Sequence, residues 1–181
     1  YTAFGTAIHD VCEKTARGQF GGPAQAKLLF TKRFQEELDS LPEDHKFNEK
    51  LLKEMKVQGK ELIPDIFPAL NEYFGEHEVI AAEERLYEPI KEYTESEHNF
   101  KGFIDLIVKT PDGKYHVIDW KTCTWGWDAR KRSDKMIVYQ LIFYKYYLAL
   151  KYDIDPNDIE THFALLKRTA KKNRVEIFKV T

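Results

Sequence analysis

Cysteine is scarce in this sequence: Cys12 and Cys123 are the only two. That is too few for a disulfide framework or a four-cysteine cluster, so no iron–sulfur cluster is expected from this chain alone. Long hydrophobic runs are missing as well. None approaches the ~20 residues that span a bilayer, and no signal-peptide pattern stands at the start, so no membrane partner is expected. Charge of one sign is also lacking, because the net charge is only −2. What remains is 181 residues with 43% hydrophobic and 14% aromatic content, enough for one domain with a real core. The default setting is the cytosol, which becomes the host cytosol for a phage-encoded protein, with the nucleus or an organelle left open. The chain opens on Tyr1 rather than methionine, so a fragment or a processed product is expected.

The small net charge hides an uneven distribution. Residues 1–100 hold 12 basic and 20 acidic side chains, net −8, and residues 101–181 hold 16 and 10, net +6. A local positive field attracts phosphates even on an acidic chain, although any single lysine is ordinarily a solvated one.

The basic half contains the stretch around which the chain is organised. Phe103 to Val108 is apolar and branched, Thr110-Pro111-Asp112-Gly113 has turn chemistry, and Tyr115 to Trp120 returns. Proline presets φ and glycine accepts φ > 0, so the spacing predicts a β-hairpin. Asp105, Asp119 and Lys121 sit inside it. A strand has period two, so Asp119 and Lys121 share a face, and Asp105 joins them if the register allows. Charges are seldom buried unless paired or bound to metal, so two carboxylates and an ammonium on one face suit a metal and phosphate site. The plainer alternative is an exposed face carrying an Asp–Lys pair.

Gly102-x-x-Asp105 followed by Asp119-Trp120-Lys121-Thr122 resembles the signature of the PD-(D/E)XK nucleases. Gly5-Thr6-Ala7-Ile8-His9 is similar to the G-x-x-x-H helix motif of their RecB-like branch, and Gln140-Leu141-Ile142-Phe143-Tyr144 to its Q-x-x-x-Y motif. The resemblance implies a restriction-endonuclease-like α/β fold, with a central mixed sheet flanked by helices and a helical insert before the sheet. It implies a single nuclease domain over 1–181, helical to about 75 and sheet-containing from about 76. It also implies a metal-dependent deoxyribonuclease, expected to be an exonuclease in recombination, repair or phage DNA processing. An endonuclease of the same fold, or an inactive DNA-binding or assembly module, is the alternative. The cofactor would be Mg²⁺ or Mn²⁺, and the partners DNA (ends or single strands first) and a helicase or recombination protein.

In that reading Asp105 and Asp119 are the hard-oxygen ligands, the Trp120 main-chain carbonyl is a further one, and His9 completes one side. Imidazole suits Mn²⁺ better than Mg²⁺. Lys121 positions or deprotonates the water or steadies the charged phosphorus, and acting as a base would require a lowered pKa. Gln140 would hold site backbone or a DNA phosphate, braced by Tyr144. One of Glu83 and Glu84 supports the metal or a water, or each is simply a surface carboxylate.

Helices are expected over Thr2–Arg17, Ala24–Leu38, Phe47–Val57, Pro64–Phe74 and Lys135–Lys151. Further strands are expected over Glu78–Pro89, Ile159–Leu166 and Arg174–Val180, with breaks at Ser40–Glu43 and a polar turn over Tyr93–His98. The helical insert covers a site or completes the core. Trp125 and Trp127 stack on bases or pack on that insert, next to the basic group Arg130, Lys131, Arg132 and Lys135. The stretch from Lys167 to Asn173 grips DNA or is a solvated loop.

Overall fold

Three helices precede the first strand in the computed structural model, which describes residues 1–42, 44–90 and 98–181. They are α1 (Thr2–Ala16), α2 (Pro23–Asp39) and α3 (Glu49–Phe74). There follow β1 (Glu78–Pro89), β2 (Asn99–Lys109), β3 (Tyr115–Cys123), the short α4 (Ala129–Arg132), α5 (Lys135–Tyr152), β4 (Ile159–Lys167) and β5 (Val175–Lys179). Glu43 and most of the turn expected over Tyr93–His98 lie outside the described residues. Among the described residues, no helix is long and apolar enough to cross a membrane.

The chain divides into two units, each with its own core. The first comprises Tyr1–Tyr73, Trp120–Gly126 and Ala164–Ile177. Its helices bury one stripe each: Phe4, Ala7, Ile8 and Val11 on α1, and Ala26, Phe30, Phe34 and Leu38 on α2. Pro23 stands in the first turn of α2, where a missing N–H costs nothing. Phe30 stacks on Phe34 with centroids 5.6 Å apart and meets the edge of Phe4 at 5.5 Å. Gly59 on α3 lets the helices close on this cluster, because a Cβ there would lie 2.2 Å from the Phe30 ring.

Two helices expected between Phe47 and Phe74 are in fact one, with Pro64 and Pro68 inside it. Each interior proline costs about 3 kcal/mol. The helix nevertheless buries Met55, Leu62, Ile63, Ile66 and Leu70 along one face. At roughly 1.5–3 kcal/mol for each large side chain, that continuous stripe outweighs both prolines.

The second unit comprises Phe74–Asp119, Trp127–Phe163 and Phe178–Thr181. β1 and β2 pair antiparallel with Ala82 against Leu106 and Glu84 against Ile104, and a bulge falls between Val79 and Ala81. β2 and β3 form the expected hairpin, pairing Leu106 with Ile118 and Lys109 with Tyr115. Its turn is closed by Thr110 N–H donating to Lys114 O at 3.0 Å, with Gly113 at φ 89°. Asp134 caps α5 by accepting from the Met136 N–H, and Asp153 ends it in the left-handed region. β2 begins four residues before the sequence pattern suggests, where Phe100 stacks on Tyr147 of α5 at 4.1 Å.

The strands lie in the order β1-β2-β3-β4-β5. Cross-strand contacts from β3 to β4 rise together in number (Lys114 with Glu160, His116 with His162, Cys123 with Arg168), so these two strands run parallel. β4 and β5 turn back on each other, with the Lys167 N–H on Arg174 O and the Val180 N–H on Thr161 O. The result is the expected mixed α/β arrangement, a five-stranded sheet flanked by helices.

Candidate active site

The hairpin register decides whether the two aspartates meet. The pairing runs from Lys109–Tyr115 to Leu106–Ile118, and carried one residue further it would bring Asp105 level with Asp119 on the same face. The β1–β2 register likewise sets Glu83 level with Asp105. Three carboxyl-bearing positions therefore cross three neighbouring strands in one row. Glu83 adopts φ 54°, a left-handed conformation that costs a non-glycine residue about 1–3 kcal/mol.

Tyr144 of α5 lies over this row. Its hydroxyl accepts from Gln140 Nε2 at 2.9 Å and from the backbone N–H of Phe103. Burial pushes the phenol pKa up. The hydrogen bond from Gln140 pulls the other way, and the negative charges of Asp119 and Asp105 add to the rise. The tyrosine thus feels both carboxylates, and Gln140 holds it there. Gly102 makes room for it, since a Cβ at 102 would stand 2.8 Å from Tyr144 Cε1 and 3.1 Å from the Phe100 ring. The glycine of G-x-x-D and the tyrosine of Q-x-x-x-Y are two halves of one contact.

Gly102→Ala is accordingly expected to lower stability by about 1–3 kcal/mol through overpacking. Combining it with Tyr144→Ser should recover most of the cost of the glycine change, a coupling read from denaturant midpoints of the four proteins.

Asp119 is only 2% exposed. Other interactions hold the residue in place. Carboxylate oxygens carried on two neighbouring strands fit a hard divalent cation.

His9, Trp120 and Lys121 belong to the first unit. There α1 passes close to the end of β3, where a Cβ on Gly5 would lie 3.4 Å from Thr122 Oγ1. His9 stands one helical turn beyond Gly5 and is half-buried. Trp120 is buried, its ring 6.4 Å from Phe67, and Lys121 is half-buried two residues beyond Asp119 on the same side of β3.

Glu84 is engaged away from the row. Its Oε1 accepts from Lys151 Nζ at 2.6 Å and from the Tyr152 hydroxyl. That ion pair accounts for the carboxylate without a metal. Burial pushes the Glu84 pKa up, but the hydrogen bonds from Lys151 and Tyr152 more than reverse this, so it lies below the usual glutamate value. A folded pKa below the unfolded one adds stability above the unfolded value and loses it as pH falls through the folded one. The stability advantage of wild type over Glu84→Gln should therefore be flat near neutrality. It should shrink as pH drops below about 4.3, as measured by denaturant midpoints at stepped pH.

The aromatic loop divides between two roles. Trp127 is buried, and it packs on Phe163 at 5.1 Å and Phe178 at 6.4 Å, on β4 and β5. Arg132 braces the loop, donating from Nε to Trp127 O at 3.0 Å with its guanidinium over the Phe178 ring. Lys131 lies 5.0 Å over Trp127, while Trp125 is 73% exposed and Arg130 is exposed. In the β4–β5 turn, Arg168 is buried and donates to Gln58 at 2.7 Å, and Arg174 pairs with Asp65 and Glu61. Those two arginines are structural, and Lys171 and Lys172 remain exposed.

Sequence reasoning missed the Phe103 N–H as a support for Tyr144. The glycine of G-x-x-D, explained by the Tyr144 ring that fills the space of its absent side chain, pointed toward it. The family model described as the PD-(D/E)XK nuclease superfamily matches residues 1–180. No curated protein matches the chain.

Proposed function

This chain belongs to the PD-(D/E)XK nuclease superfamily, and we propose that it is a RecB-like DNA exonuclease working in recombination, repair or phage DNA processing. The superfamily itself implies a metal-dependent nuclease with DNA as substrate. The observation that carries the reading is the alignment of Asp105 and Asp119 on one sheet face within the electrostatic reach of Tyr144. Gly102 and Asp105 of G-x-x-D, Asp119 of D-x-K, and Gln140 and Tyr144 of Q-x-x-x-Y all belong to the second unit.

A divalent cation bound at these carboxylates, Mg²⁺ or Mn²⁺, would act as Lewis acid and lower the pKa of a water. The chain's own part follows from its donors. Asp105 and Asp119 offer oxygens, and the order of the motifs assigns the Trp120 carbonyl and His9 as further ligands. Lys121 orients the attacking water, takes up its proton or neutralises charge growing on phosphorus. Gln140 fixes Tyr144, and Tyr144 and the Phe103 N–H together fix the strand that carries Asp105. Exposed Trp125, with Arg130 and Lys131, supplies a ring and cations suited to a single strand. A helicase or recombination protein would deliver the DNA end.

The test incubates the protein with end-labelled single- and double-stranded linear DNA and with closed circular DNA, in Mg²⁺, Mn²⁺ or EDTA. Metal-dependent shortening of linear DNA alone is expected. Cutting of the circle would replace this reading with an endonuclease. A retained gel shift without cleavage would replace it with an inactive binding module.

A further inference from the structure

His116 on β3 and Glu160 and His162 on β4 converge in the second unit, on residues the nuclease chemistry does not use. His116 Nδ1 lies 3.1 Å from His162 Nε2 and 3.7 Å from Glu160 Oε2, and that oxygen is 4.0 Å from His162 Nε2. Tetrahedral donors about 2.0–2.2 Å from a zinc ion stand roughly 3.3–3.6 Å apart. A shift of a few tenths of an ångström brings all three to one ion.

The surroundings prepare these atoms. Thr110 Oγ1 donates to Asp112 and lies 2.9 Å from His116 Nε2, so that nitrogen is assigned the proton and Nδ1 keeps its lone pair toward the cluster. A hydroxyl–carboxylate relay behind a ligating imidazole is how metal-bound histidines are commonly oriented. Lys114 and Lys179 hold Glu160 Oε1 at 3.0 and 2.7 Å, leaving Oε2 to face the histidines. The two ammonium groups oppose a cation, and Asp112 and Asp158 partly offset them. Phe74 covers both rings, with centroids 4.8 Å from His116 and 5.1 Å from His162. Burial above all pushes the His162 imidazole down to about 3 and His116 below its usual value. The Glu160 side chain is 16% exposed, which leaves a path for an ion.

We propose that His116 Nδ1, His162 Nε2 and Glu160 Oε2 form a zinc-type transition-metal site that ties β3 to its parallel neighbour β4. Two imidazoles and one carboxylate select zinc-like ions over Mg²⁺ or Ca²⁺, which take oxygen. The site is distinct from the nuclease carboxylates. His116 stands three residues before Asp119, on the opposite face of β3 and about 10 Å along it. Its role is structural: it joins two strands whose chain connection runs through the whole of α5.

Calorimetric titration of the metal-stripped full chain with Zn²⁺, and with Co²⁺ for its visible absorption, tests the site. In an Asp105→Asn/Asp119→Asn background, which disables the other carboxylates, one Zn²⁺ equivalent should remain, raise Tm and give four-coordinate Co²⁺ bands. Adding His116→Gln or His162→Gln should weaken that equivalent by at least about 100-fold. Thr110→Val touches no proposed ligand and should weaken it by about 10-fold. It keeps the test decisive if a histidine variant does not fold. No Zn²⁺ equivalent in this background, with the two histidines merely sharing a hydrogen bond, overturns the proposal. So does an equivalent that survives His116→Gln, His162→Gln or Thr110→Val unweakened.

Discussion

Asp119→Asn should reduce metal-dependent cleavage of linear DNA by about 10³-fold or more while leaving the fold intact. A bound cation acting as Lewis acid supplies several kcal/mol of charge stabilisation, and each 1.36 kcal/mol is tenfold in rate. Asparagine keeps the volume and one carbonyl oxygen but removes the negative charge proposed to hold the ion. Stability should move the other way. Asp119 is buried, and it and Asp105 each lie one residue past the last pair of the hairpin, Leu106–Ile118, so their like charges repel across adjacent strands. In EDTA the unfolding midpoint of Asp119→Asn should therefore equal or exceed that of wild type, as removal of a strained functional group commonly allows. Cleavage rates with Mn²⁺ and denaturant curves in EDTA give both halves. A variant that loses activity by unfolding would show Asp119 to be a core residue instead.

Phe30→Ala should be the most damaging single change to the first unit, costing about 3–5 kcal/mol. The ring is fully buried, stacks on Phe34, meets Phe4 edge-on and fills the space above Gly59. Total stability of a domain is about 5–15 kcal/mol, so this loss takes a large share. The site of the damage can be identified. Gly59→Ala alone is destabilising because its methyl would enter the ring, but in the Phe30→Ala background the methyl enters a cavity. The two changes together should be less harmful than their separate effects imply, and chemical denaturation of all four proteins measures that coupling.

The parts of the fold legible in the sequence are those set by neighbours along the chain. The hairpin turn needs Pro111 and Gly113, and its strand alternation fixes the shared face of Asp119 and Lys121. The ends of α1, α2 and α5 follow from short-range patterns to within one or two residues. What was illegible depends on distant partners. The continuity of α3 through Pro64 depends on a buried stripe, whereas the sequence reading breaks the helix between Val57 and Pro64. Glu84 finds Lys151, 67 positions away, and His116 finds His162, 46 positions away. The only local trace of that second group is Glu160-Thr161-His162, whose first and third members share a strand face. The site's supports have the same origin, because Gly102 can be explained only once Tyr144 is known to lie over it.

β1 is the first strand of the sheet order and runs for 12 residues. A flat strand of that length at an edge is a template on which a second chain can grow, and apolar Val79, Ile80 and Tyr87 are exposed along it. The backbone breaks the template twice, once at the bulge between Val79 and Ala81 and once at left-handed Glu83. Glu78, Arg85 and Glu88 place charges along the same strand, and Pro89, at its end, has no N–H to offer. The irregularity beside the candidate carboxylates therefore also opposes fibril growth. A variant with this strand regularised would be more prone to aggregate at high concentration.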